Sequence, residues 1–150
     1  MTDLGVLPGD EESGAGAINN FGQIVGSSGR IDPRTNQAIS RAFLYAGGVM
    51  TALPVPSWES YAGDINDSGV VVGTMRSDTG GFFSYHAYIY ADGAVTNLND
   101  LLPSGSGLHL ASATAINNAG QIVGVAIDSR GDQRAFLLSP VGQGRSEPRP

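Results

Sequence analysis

Trp58, Glu59 and Tyr61 sit side by side in the chain, and Phe83, Tyr85 and His86 form a second such group. Aromatic rings beside a carboxylate suit one chemistry in particular. The ring stacks on the apolar face of a sugar or small molecule, and the acid fixes a hydroxyl. Trp58, Tyr61, Phe83 and Tyr85 are therefore the candidate ligand contacts. A second chemistry uses the titratable groups. Glu59, Asp78, His86 and His109 could supply an acid and a base for hydrolysis of a lactone or a glycoside. A third uses oxygen ligands. Asp32, Asp78 and Asp100 are candidates for calcium, which takes about six to eight oxygens.

Each candidate has a plainer alternative. Trp58 could plug the end of a sheet, and His109, between Leu108 and Leu110, could be a packed histidine. His86 could occupy an ordinary strand position, since Arg41 and Arg134 stand in its place elsewhere. The acids Asp10, Glu11, Glu12, Asp32, Asp78 and Asp100 could be scattered solubilising charge. Arg130-Gly131-Asp132 reads as a solvated hairpin loop, and the acids around it lack the spacing of a calcium-binding hand. No nucleophile elbow, phosphate loop or zinc signature is present. Enzyme and binding module both stay open.

Whether these groups meet depends on the elements that carry them, and those follow from a repeat. Ala17-Ile-Asn-Asn-Phe-Gly-Gln-Ile-Val-Gly26 returns as Ala115-Ile-Asn-Asn-Ala-Gly-Gln-Ile-Val-Gly124, with Asp64-Ile-Asn-Asp-Ser-Gly-Val-Val-Val-Gly73 between them. Asn19 to Asn66 is 47 residues, and Asn66 to Asn117 is 51. Each unit holds short β-branched or aromatic runs bounded by Gly, Asn, Asp or Pro, which is how strands read. No segment keeps a 3.6-residue apolar period, so helix is minor or absent.

The spacing predicts four-stranded antiparallel meanders. Asn20-Phe21-Gly22 and its two copies form tight turns, with Gly in the left-handed region and Asn19, Asn66 and Asn117 capping the turn rather than binding a glycan or an ion. Both tight turns of a unit then lie at one end of its sheet. The long, variable loops, with Trp58, Phe83 and His109 in them, lie at the other, which is where function usually sits. The third unit lacks a fourth strand after Leu138, and Met1-Thr-Asp-Leu4 matches Met50-Thr-Ala-Leu53. The expectation is that the N-terminal strand completes the last sheet.

The bulk numbers agree. A chain of 150 residues fits one domain and can bury roughly 68–70% of its unfolded surface. Its 22 Gly and 8 Pro, with 15% charged residues, suit an all-β chain with many turns. A net charge of -6 repels phosphate backbones, which argues against nucleic acid. The absence of cysteine excludes disulfides and thiolate metal sites. No apolar run is long enough for a transmembrane helix, so no membrane insertion is expected, and no signal peptide is visible.

The pattern Ala-Ile-Asn-x-x-Gly-x-Ile-Val-Gly, then His-Ala-Phe-like, then Met-Thr-x-Leu resembles the HAF family of extracellular repeats over nearly the whole chain. Only His86-Ala87-Tyr88 keeps that family's histidine. The resemblance implies a bacterial protein outside the cell or on its surface, with a propeller-like repeat. It carries no catalytic residues to transfer, and it suggests that the chain is a fragment of a longer array.

The expected architecture is one repeat domain over 1–140, with units at about 5–53, 54–98 and 99–140 plus strand 1–4, and a disordered tail at 141–150. Four strands per unit is the pattern of a propeller blade; a β-prism or a β-trefoil are the alternatives. Three blades leave a ring open, and two chains would close it as a homodimer. The function expected of such a scaffold is binding of a carbohydrate, small molecule or protein partner through the long-loop rim. The alternatives are a secreted hydrolase, with calcium as its one candidate cofactor, and a structural segment of a surface array.

Overall fold

The computed structural model describes residues 1–78 and 85–141. Among them are eleven strands, one turn of 3-10 helix at Leu98–Leu101, and no α-helix. The first sheet holds β1 (Glu12–Ile18), β2 (Ile24–Ile31), β3 (Ala38–Ala46) and β4 (Val49–Ala52), in that order. The second holds β5 (Ser60–Ile65), β6 (Val71–Arg76), β7 (Tyr85–Ala91) and β8 (Ala94–Asn97). The third holds β9 (Leu108–Ile116), β10 (Ile122–Asp128) and β11 (Gln133–Leu138). All neighbours are antiparallel, as short connections require, and no sheet closes on itself.

The expected tight turns are present. Gly22, Gly69 and Gly120 have φ of 74°, 77° and 78°. Asn19 Oδ1 accepts from the N–H groups of Phe21 and Gln23, and Asn66 Oδ1 from Ser68 and Val70. The same asparagines also reach between units. Asn19 Nδ2 donates to the Asn66 carbonyl at 3.0 Å, and Asn66 Nδ2 to the Asn117 carbonyl at 3.1 Å. Asp67 adds to this column. Its carboxylate accepts from Asn20 and Asn118, and its N–H donates to Asn118 Oδ1. Hydrogen bonding from Asn20 first, and also Asn118, holds the Asp67 carboxyl below the ordinary carboxylate range.

The last Gly of each motif has a separate cause. The first strand of every unit carries a bulge, where its register skips Gly16, Gly63 or Thr114. The bulged strand pushes a carbonyl into the space a Cβ would take at Gly26, Gly73 and Gly124, from Gly14, Tyr61 and Ser112 respectively.

Units pack in chain order. One core joins the first and second sheets, with Val25, Ala42 and Leu53 against Ala62, Ile65, Val71, Met75 and Tyr88. The other joins the second and third, with Val72, Ala87 and Leu98 against Leu110, Ile116, Ile122 and Phe136. Each of the buried Val, Leu, Ile, Met and Phe side chains contributes about 1.5–3 kcal/mol. The units therefore share their cores and stabilise each other rather than standing alone.

Two expectations need correction. Met1–Leu4 does not complete the third sheet: the chain forms no strand before Glu12, and β11 is the edge of a three-stranded sheet. Stronger contacts hold the segment on the first sheet. Leu7 is buried and donates its N–H to Ser28 Oγ. The side chain of Asp10 is wholly buried and pairs with Arg30 at 3.1 Å and Arg41 at 2.8 Å. The strands also reach further into the rim than expected. Tyr61 and His109 lie on β5 and β9 rather than in loops. Tail residues 142–150 lie outside the described residues.

Candidate functional site

The segment from Ser57 to Ser60 runs between the first two sheets and is tied to both. Ser57 Oγ donates to the Arg76 carbonyl. The Ser40 N–H donates to the Trp58 carbonyl, and that of Ala42 to Ser60 Oγ. Arg76 N–H returns a bond to the Glu59 carbonyl. These backbone ties fix the side chains of Trp58, Glu59 and Tyr61 at the long-loop end of the second sheet.

There the structure brings most of the predicted contacts together. Glu59 is the hub. Its Oε1 accepts from the hydroxyls of Tyr61, at 3.1 Å, and Tyr85, at 3.0 Å, and its Oε2 pairs with Arg76 at 3.2 Å. The Arg76 guanidinium lies 4.8 Å from the centre of the Trp58 ring and 6.0 Å from that of Tyr85, both cation–π contacts. Trp58 Nε1 donates to Asp78 Oδ1 at 2.8 Å. Tyr61 and Tyr85 are 41% and 38% exposed while their hydroxyls are fixed. Burial, and then the Glu59 charge and hydrogen bond, raise both phenol pKa values, which keeps the hydroxyls as donors.

Tyr61 also forms one wall of a groove of about 290 Å³. Glu12, Ser13, Ser27, Ser40, the backbone at Gly14 and Gly29, and the apolar Ala38 and Ile39 line the rest, all on the first sheet. The groove thus combines an aromatic residue with serines, a carboxylate and two aliphatic residues.

The histidines lie on the neighbouring strands. His86 and His109 meet edge to face, with ring centroids 4.8 Å apart. The Tyr85 carbonyl accepts from His109 Nε2 at 2.8 Å, and a carbonyl can only accept, so this nitrogen carries the proton. His86 Nδ1 is buried and has no hydrogen-bond partner among the described residues. Burial first, and then His109, lower the His86 pKa, against an opposing effect of Asp100. Tyr85 therefore joins the two groups, through its hydroxyl to Glu59 and its carbonyl to His109.

His86 takes the strand position that Arg41 and Arg134 hold in the other units. It pairs with Met75 as they pair with Ser28 and Ala126. Arg41 binds Asp10, and Arg134 binds Asp128 at 3.0 Å. Asp128 Oδ1 caps the N–H groups of Arg130 and Asp132, so Arg130-Gly131-Asp132 is a self-contained hairpin turn.

The metal candidates do not form one group. Asp32 caps its own loop at Arg34, Asp78 holds Trp58, and Asp100 lies on the 3-10 turn. Among the described residues no three His, Asp or Glu side chains could hold an ion together. Phe83 lies outside the described residues.

Sequence reasoning missed two members of this design. Arg76, which neutralises Glu59 and covers Trp58, is marked only by closing β6 toward the long-loop rim. Asp10, taken for solubilising charge, is the buried partner of two arginines. Comparison with models of protein families, with curated proteins and with solved structures gave no match.

Proposed function

We propose that the chain is a non-catalytic repeat module that binds carbohydrate at its long-loop rim, outside the cell or on its surface. The observation that carries this reading is Tyr61. Its hydroxyl is fixed by Glu59, the residue is exposed, and it faces a groove lined with serines and Glu12. Stacking on the ring and hydrogen bonds from the opposite wall are the two contacts that a pyranose uses. The Glu59 carboxylate is occupied by three donors, which suits a rigid support better than a proton-transfer group. The face-to-face succession of two four-stranded sheets and a three-stranded one supports a propeller-like arrangement of the HAF type.

The test is a glycan array followed by calorimetric titration of any hit. Tyr61→Ala should lose binding, and Glu59→Gln should weaken it by freeing the ring. Tyr61→Ala leaving the affinity of a captured glycan unchanged, or an array with no hit, would sink the reading.

A further inference from the structure

The two junctions between units define what a bare face lacks. The first-strand isoleucine of a unit packs against the unit before it. Ile65 is 4% and Ile116 8% exposed, whereas Ile18, on the first of the three units, is 65% exposed. The second-strand valine packs against the unit after it. Val25 and Val72 are 0% exposed, but Val123, on the third unit, is 41% exposed. Leu137 follows the same rule: it is 60% exposed, while its counterparts Leu44 and Ile89 pack against the two cores. At their turn ends the first and third units thus expose apolar residues of two different kinds, and each set is the half of a junction that the molecule already makes twice.

The fit extends to shape. Ala115, Val123 and Leu137 line a shallow depression of about 290 Å³, together with Ile116, Asn117 and Gln121. Their counterparts Ala17, Val25 and Leu44 belong to, or pack against, the first junction's core, which also holds Ile65. It extends to polarity as well. Asn19 and Asn66 each donate Nδ2 to the carbonyl of the next asparagine. Asn117 Nδ2 donates to Gln121 Oε1 within its own turn, as Asn19 also does to Gln23. An amide has two such hydrogens. The second Asn117 hydrogen is therefore the one that serves the junction in both earlier units.

We propose that the chain associates head to tail with a second copy of itself. Ile18 of one copy enters the depression between Ala115, Val123 and Leu137 of the other, and Asn117 Nδ2 donates to the Asn19 carbonyl across the contact. Such a contact is heterologous: each copy uses one face and offers the other. The segment around Leu7 and Asp10 packs on the first sheet, where Phe43 is only 1% exposed, whereas Ile18 at the turn end is exposed and Asn19 beside it is half-buried.

One residue sets the strength of the contact. At the bulge, a Cβ on Gly16 would lie 3.2 Å from the Ala62 carbonyl of the next unit, and one on Gly63 3.0 Å from that of Ala113. Thr114 holds the same bulge position in the third unit. Its side chain keeps the second copy a few tenths of an ångström further out than a covalently linked unit. The association is accordingly weaker than the built-in junctions and depends on concentration.

The experiment is sedimentation velocity over a concentration series. The unmodified chain should sediment above monomer mass as concentration rises. Ile18→Asp and Val123→Asp, both at exposed positions and checked for folding by circular dichroism, should each lose association. Mixed one to one, they should form a dimer and stop there, because each keeps the face that the other has lost. Thr114→Gly should shift association to lower concentration. A chain that stays monomeric throughout overturns the proposal. So does association that survives both substitutions, or a mixture of the two variants that stays monomeric. Glycan binding plays no part in this readout, so it stands or falls apart from the carbohydrate reading.

Discussion

Asn66 Nδ2 donates to the backbone carbonyl of Asn117, 51 residues away, at 3.1 Å. The same side chain accepts from Ser68 and Val70 within its own turn, and Asn66 is only 5% exposed. One amide therefore shapes a turn and fastens two units. Asn66→Ala removes three part-buried hydrogen bonds at once, and should cost about 1–3 kcal/mol. Asn117→Ala, at an exposed position, should cost less. Thermal unfolding of the two variants side by side checks the order.

The motif glycines should separate into two classes. Gly22 has φ of 74° and open space where a Cβ would stand, so Gly22→Ala should cost about 1–2 kcal/mol, the price of the left-handed conformation. Gly73→Ala places a Cβ against the Tyr61 carbonyl and the Tyr88 ring. Neither can move without breaking the bulge or the core between the first two sheets. Gly73→Ala should fail to give a cooperative unfolding transition, which calorimetry will show. A simple loss of a few degrees would contradict the assigned bulge.

Asp10 fastens the N-terminal segment. Asp10→Ala removes the shared partner of Arg30 and Arg41, and should cost about 1.5–3 kcal/mol, the range for hydrogen bonds to charged groups. The effect should be local. Limited proteolysis should cut the variant before Glu12 and spare the three sheets. Cleavage within β2 or β3 instead would show that Asp10 supports the whole first unit.

His86 gives a pH dependence with a definite sign. Its folded pKa is lowered, chiefly by burial and then by His109, so the unfolded chain binds its proton more readily. Stability is full above the ordinary histidine value, about 6.5, and declines as pH falls below it toward the folded value. His86→Asn should flatten that part of the stability curve in denaturant titrations at stepped pH. Asp67, whose pKa is also lowered, adds a loss only in the more acidic range below the ordinary carboxylate value.

What was legible in the sequence followed from local physics. Asn19 and Gly22 state their turn within a few residues, and a repeated turn places the long loops at the opposite end. Trp58, Glu59, Tyr61 and Tyr85 could therefore be assigned to one rim before their contacts were known. Asp10 and Arg76 were not legible, because an acid or an arginine in a loop reads as solvated charge until its partner is placed. The match of Met1–Leu4 to Met50–Leu53 was real as a pattern and misleading as a location. Similarity of side chains says what a segment can pair with, while Leu7 and Asp10 decide where it is held.

The bulge column has a consequence for descent. Gly16 and Gly63 each press against the backbone of the following unit, and the asparagines bridge the same joints, all away from the rim that carries Trp58 and Tyr61. A duplicated unit would inherit a complete joint with its copy of the motif. Its rim would inherit no such obligation. An array of this kind can lengthen by tandem duplication while each new rim diverges toward a different ligand.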